Sequence, residues 1–222
     1  MSADATPPGT MLPGADEEGP GPVVVRPQPP PPPPFPIPPL FGKYSFEGLE
    51  VHDPGLQPYL YLHPIYAPHT EGKLTGRPFL KSHMHVVERL ANHLMKGGRF
   101  TGKKGKALKT IRLAFDQLAT TEKANPLQLL VNAIENAAPR EEVTRLQFGG
   151  ISVPRAVDAS PARRVNVAIR NIAQGAIQAS RKSTKAIHQC LANEIALAAK
   201  PDLTSFAVAR KEEVERVAQS AR

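Results

Sequence analysis

The chain has 222 residues, with 28 lysines and arginines against 20 acids, a formal charge of +8 and a pI near 9.7. Its single cysteine, Cys190, excludes a disulfide-built secreted scaffold and points to a reducing compartment. No apolar run approaches the roughly 20 residues that span a bilayer, and MSADATPPGT has neither the basic start nor the apolar stretch of a secretory signal, so a soluble intracellular protein is expected.

Composition changes along the chain. Fifteen of the 25 prolines fall in residues 1–40, so that segment does not share a packed body with the rest. Residues 1–76 carry three basic and eight acidic groups, a balance of −5, whereas residues 77–222 carry 25 and 12, a balance of +13. The basic excess therefore belongs to the part that folds, where it must be solvated, internally paired or matched to a polyanion.

Residues 1–39 are expected to be a disordered Pro-rich extension. From Pro27 to Pro39 the run PQPPPPPPFPIPP removes nearly every backbone donor and pins φ, which predicts a stiff polyproline-II rod. It reads as a solvated spacer or, through Phe35 and Ile37, as a ligand for a module with an aromatic groove. Residues 40–76 recover aromatics (Phe41, Tyr44, Phe46, Tyr59, Tyr61, Tyr66) but keep scattered prolines. They are expected to form an irregular arm laid over a surface.

Residues 77–222 read as a helical array. Val86, Val87, Leu90, Leu94 and Met95 form one stripe ended by Gly97-Gly98, and Leu108, Ile111, Phe115 and Leu118 form the next. Pro126 opens a third helix carrying Leu127, Leu130, Val131 and Ile134, which Pro139 stops. Glu141–Phe148 and Ile151–Val157 then alternate around Gly149-Gly150, the pattern of a β-hairpin at about 141–157. A hairpin alone is marginal, so it must lean on the helices or project to meet a partner. Ser160 suits an N-cap and Pro161 a first turn, after which Val165, Ala168, Ile169, Ile172, Ala173 and Ala176 repeat helically. Ile187, Cys190, Leu191, Ile195 and Ala198 mark a fifth helix, and a more polar sixth runs from about Phe206 towards Arg222.

The strongest chemical feature is the loop Gly97-Gly98-Arg99-Phe100-Thr101-Gly102-Lys103-Lys104-Gly105-Lys106. Its glycines let backbone approach an anion while N–H groups and ammonium heads point at phosphate. It satisfies G-x-x-x-x-G-K, but Lys104 stands where a Mg²⁺-binding Ser or Thr is required and a helix precedes it, so a nucleoside-triphosphate loop is rejected. Arg163 and Arg164 sit in a helical first turn, where cations oppose the macrodipole at about 0.3–1 kcal/mol each, which suggests an anion supplied from outside. Arg140, Arg145 and Arg155 flank or line the hairpin, Arg181, Lys182 and Lys185 fill the loop after the fourth helix, and Arg210 and Lys211 open the sixth. A solvated face explains any one cluster, and together they favour polyphosphate.

Enzymatic readings gain little. His83 and His85 point to opposite sides of a helix, no HExxH or CxxC occurs, and Cys190 lies on an apolar stripe. Glu141 and Glu142 are neighbours on a strand and face opposite ways, so they make a poor acid/base pair. No cofactor, metal or membrane partner is expected. With 5% aromatics and no tryptophan, recognition of folded RNA by backbone and shape is better equipped than stacking on single strands.

The strings VERLANHLMKGGRFTGKK, NPLQLLVNAIENAAPREEVTR, AVDASPARRVNVAI, CLANEIALAAK and KEEVERVAQSAR together resemble, in order and spacing, the universal small-subunit ribosomal protein seven family in its eukaryotic–archaeal form. The resemblance covers about Phe41 to Arg222 and implies an all-α, six-helix ribosomal RNA-binding domain with one protruding β-hairpin and no enzymatic activity. It implies binding to the 3′ major domain of small-subunit ribosomal RNA, nucleation of head assembly, and a hairpin facing exit-site tRNA and mRNA beside neighbouring ribosomal proteins. Carried onto this sequence, the RNA-body role falls on Arg77, Lys81, Arg99, Lys103, Lys104, Lys106, Lys109, Arg163, Arg164, Arg181, Lys182 and Lys185. The basic clusters add Arg140, Arg210 and Lys211. The exit-site role falls on Arg145, Gln147, Phe148, Gly149, Gly150 and Arg155, although the tip from Leu146 to Pro154 lacks the basic residues usual in eukaryotic members. A cytoplasmic ribosome is the implied location, with nucleolar assembly if the source is eukaryotic. The competing readings are a Pro-rich-tail adaptor and a free RNA chaperone.

Overall fold

The computed structural model describes residues 39–97 and 100–222. The polyproline reading of the head up to residue 38 lies outside the described residues. Among the described residues, six α-helices and one hairpin follow in chain order: α1 (Val86–Leu94), α2 (Lys104–Glu122), α3 (Pro126–Ala137), β1 (Glu141–Phe148), β2 (Ile151–Asp158), α4 (Pro161–Ser180), α5 (Ile187–Ala199) and α6 (Phe206–Ser220). The fold is mostly helical, as the periodicity predicts. No helix among the described residues is long and apolar enough to cross a membrane.

Local chemistry sets the helix starts. Asn125 Oδ1 accepts from the Leu127 N–H at 3.1 Å while Pro126 occupies the first turn of α3. At α1 the capping acceptor is an imidazole, His85 Nδ1, 3.2 Å from the Val87 nitrogen. Pro161 opens α4 as expected, but the Ser160 hydroxyl does not cap it. The Ser160 contribution is its carbonyl, which accepts from Arg164 N–H at 2.9 Å and so begins the helical ladder without the side chain.

The core forms where the predicted stripes face one another. α5 packs against α2, α3 and α4, and α4 also packs against α1, α3 and α6. Ile111, Phe115, Leu130, Ile134, Val165, Ile169, Ile172, Leu191 and Ile195 are buried there. Truncating such a Leu or Ile to Ala costs about 2–5 kcal/mol. Gly175 marks a close crossing: an added Cβ would lie 2.8 Å from the Glu194 carboxyl carbon and 3.0 Å from Phe206 Cβ. Glu194, only 8% exposed, accepts from the Ser205 hydroxyl at 2.8 Å and the Ala207 N–H at 2.9 Å, placing a carboxylate at the positive end of α6.

The arm is more than a surface strap. It has no long regular element, yet Leu40, Tyr44, Leu56 and Leu60 are buried in the same core as the helices. Tyr44 meets Phe115 edge-on at 6.0 Å and donates to Asp116 at 2.8 Å. Burial, the Asp116 hydrogen bond and its charge together push the phenol up to about 12.

The hairpin both leans and projects. β1 and β2 pair antiparallel from Glu141↔Asp158 to Phe148↔Ile151, and Gly149 and Gly150 turn the chain at φ 55° and 88°, values that favour glycine. β1 packs against α6 at its base, whereas β2 is exposed along almost its whole length, Ile151 at 69%. The expected opposition of Glu141 and Glu142 is borne out by their partners. Glu141 pairs with Arg222 after α6, and Glu142 with Arg163 Nε at 2.6 Å in α4. The base of the ribbon is therefore gripped from two sides.

Candidate nucleic-acid interface

The cations divide into those that meet the protein's own acids and those that do not. In the basic loop, Lys104 donates to the carboxylate of Glu88, which is fully buried and also accepts from the N–H and hydroxyl of Thr70 at 2.9 and 3.0 Å. Burial by itself would raise the Glu88 pKa, but these hydrogen bonds and the Lys104 charge outweigh it and hold the carboxyl below the usual range. Lys104 is thus a tie between α1, the arm and α2. Lys103, Lys106 and Lys109 are exposed and form no ion pair among the described residues, and Lys106 Nζ lies 5.3 Å from the Phe100 ring centroid. No acid stands in the first turn of α2, so these cations lie uncompensated at its positive end. Arg99 lies outside the described residues.

α4 repeats the division along one helix. Arg164, with its side chain 13% exposed, donates to Asp53 Oδ2 at 2.9 Å, and Arg163 is held by Glu142. The anion expected from outside at this helix start is therefore supplied by the arm and the hairpin, because both fold back over the first turn. Burial tends to raise the Asp53 pKa, and the Arg164 hydrogen bond reverses the effect to leave the carboxyl low. Further along, Arg170 and Arg181 have no carboxylate partner among the described residues. With Lys96 they line a cleft of about 260 Å³ between the end of α1 and α4. Lys81 is near enough to Lys96 and Arg89 that, after burial, their charges lower its pKa.

Lys96 and Arg170 are absent from the residues that the sequence singles out. Their signal was present: Arg163, Arg170, Gln174, Gln178 and Arg181 recur at 7, 4, 4 and 3, a polar stripe opposite the buried one. Attention to clusters of adjacent cations passes over a stripe whose members are spread along a helix.

The remaining predicted positions do not form one patch. Arg140 and Lys211 line an open cleft of about 520 Å³ together with Arg164, Asp53 and Glu135. Lys211 Nζ donates to the Asn136 carbonyl at 2.9 Å, and Arg210 pairs with Glu213. Arg77, Lys182 and Lys185 are exposed. On the hairpin Thr144 opposes Arg155 and Arg145 opposes Pro154, so Arg145 and Arg155 lie on opposite faces of the ribbon. Gln147, Gly149 and Gly150 are exposed at its end; the Phe148 side chain lies outside the described residues.

Comparison with known proteins identifies the family. A family model described as ribosomal protein S7p/S5e matches residues 63–222. A protein of Thermoplasma volcanium named small ribosomal subunit protein uS7 is 56% identical over 183 residues, 82% of this chain and all of that protein. Proteins of the same name from Archaeoglobus fulgidus and Picrophilus torridus are 52% and 49% identical over 183 residues, covering 94% and 98% of their own lengths. Because 183 aligned residues exceed the span from 63 to 222, the likeness reaches into the arm.

Proposed function

The chain belongs to the ribosomal protein S7p/S5e family, and from that premise we propose that it holds the 3′ major domain of small-subunit ribosomal RNA and helps to nucleate assembly of the subunit head. It is a structural, non-enzymatic ribosomal protein that works with small-subunit RNA and neighbouring ribosomal proteins. The observation that carries the finer reading is the set of exposed cations that have no acidic partner among the described residues, at the start of α2 and along the far half of α4. Each phosphate neutralised releases counterions, so affinity falls steeply with salt. Replacing Lys103, Lys106 and Lys109 by Glu is expected to weaken binding of a head-domain RNA fragment at least a hundredfold, with circular dichroism unchanged and the salt slope reduced by roughly two units. Lys104 is excluded from that test because it neutralises Glu88. Unchanged affinity would remove the loop from the interface.

For the hairpin we propose contact with exit-site tRNA and mRNA. Support comes from its exposed end and from Arg145 and Arg155, which offer a cation to each side. Exposed Ile151 and Val153 suit a neighbouring protein. Replacing both arginines by Ala is expected to reduce crosslinking to either RNA while leaving subunit incorporation intact. Deleting residues 1–39 is expected to leave cosedimentation with small subunits unchanged on a sucrose gradient; loss would favour the adaptor, and migration with light fractions the chaperone. Assembly in a nucleolus would follow only from a eukaryotic source, and the relatives above are archaeal.

A further inference from the structure

We infer that the cleft between the end of α1 and the far half of α4 is a seat for one phosphodiester group of an RNA strand, gripped by Lys96, Arg170 and Arg181. The inference rests on the RNA-binding reading above and adds a discrete subsite to it. Three cations converge on this cleft, and among the described residues no carboxylate lines it. None of the three has an ion-pair partner among the described residues. The larger cleft around Arg140 is different in kind, since Asp53 and Glu135 stand in its wall and already provide counter-charge.

The polar lining continues inward. His93 is 8% exposed and lines the wall, and its Nδ1 is buried without a hydrogen-bond partner among the described residues. Burial first, then the charges of Lys96, Lys81, Arg89 and Arg170, push its pKa down to about 4, so at neutral pH it is an uncharged imidazole. Gln174 and Gln178 bring amides to the rim. On the other side Gly97 approaches α4 so closely that an added Cβ would lie 2.7 Å from Ile177 Cδ1. Ile177 thereby gives one apolar wall against which the edge of a sugar fits. At about 260 Å³ the cleft is below the range of roughly 300–1,000 Å³ typical of small-molecule sites. That space admits a phosphate with part of its ribose and excludes a base pair. Bringing three cations together without an acid is costly, and a bound phosphate removes that cost while accepting charge-assisted hydrogen bonds from the arginine forks.

The test is phosphate-ethylation interference on a head-domain RNA fragment, using the full chain as wild type, as R170Q/R181Q, as R170K/R181K and as K96Q. With wild type, ethylation at one phosphate should weaken binding at least tenfold. That position should disappear from the pattern of R170Q/R181Q, weaken in K96Q and partly return in R170K/R181K, while positions contacted by the α2 lysines persist. The same pattern in wild type and all three variants overturns the cleft and leaves the RNA reading standing. Failure of the wild-type chain to bind the fragment at all overturns the RNA reading itself. K96Q alters an exposed side chain outside a helix, so a folding defect in the arginine variants does not void the result.

Discussion

Arg164 and Arg170 stand on the same helix, six residues apart, and their charges are used in opposite ways. Near the start of α4 the guanidinium groups of Arg163 and Arg164 are absorbed by Glu142 and Asp53, which the hairpin and the arm bring over the first turn. Along the far half, Arg170 and Arg181 meet Lys96 instead of an acid. The first arrangement ties three segments together; the second leaves charge available to a partner. Counting basic residues does not separate the two, because the deciding quantity is the distance to a carboxylate from a remote part of the chain.

The division between consumed and available charge is open to direct measurement. The largest effect is expected from acid. His85 and His93 have pKa values pushed down to about 4 by burial, against an ordinary 6.5. The unfolded chain therefore takes up protons that the folded chain refuses. Stability is complete above pH 6.5 and is lost as pH falls towards 4, by about 3 kcal/mol per histidine. Glu88 and Asp53, whose folded carboxyls titrate below the usual range, extend the loss further down. Urea unfolding across this range checks it, and H85N, which retains a capping acceptor, is expected to flatten the upper part of the curve. Next comes Arg164→Ala, expected to cost about 2 kcal/mol because it strands Asp53 in a partly buried site. A double-mutant cycle with Asp53→Asn should return a coupling of similar size. Arg163→Ala is expected to cost less than about 1 kcal/mol, since that side chain is 62% exposed and its pair with Glu142 is screened. The smallest change belongs to R170Q/R181Q, expected to shift stability by no more than a few tenths of a kcal/mol, or to raise it by relieving repulsion. A loss of 2 kcal/mol there would mean that these arginines are structural too, and the contrast would fail.

Much of the fold was legible in the chain. The stripes on α1, α3, α4 and α5 reappear as buried surfaces, and the period change at residue 141 marks the hairpin with its turn at Gly149-Gly150. Prolines 126 and 161 open α3 and α4, the first-turn positions where a missing N–H costs no helical hydrogen bond. The interface was less legible. Lys104 reads as part of a phosphate loop, yet its partner Glu88 lies 16 residues back and is buried. Arg164 finds Asp53 across 111 residues. Lys96 and Arg170 lie in no basic run and become neighbours only when α1 packs on α4.

The helices, the hairpin and the sign of the charge are written in the order of amino acids, because periodicity, proline geometry and composition act within a few residues of one another. Which cations are consumed, which stay available and which arm residues enter the core follow from packing in three dimensions. Coulomb attraction and burial depend on separation in space, and the separations that matter here join residues tens to more than a hundred positions apart.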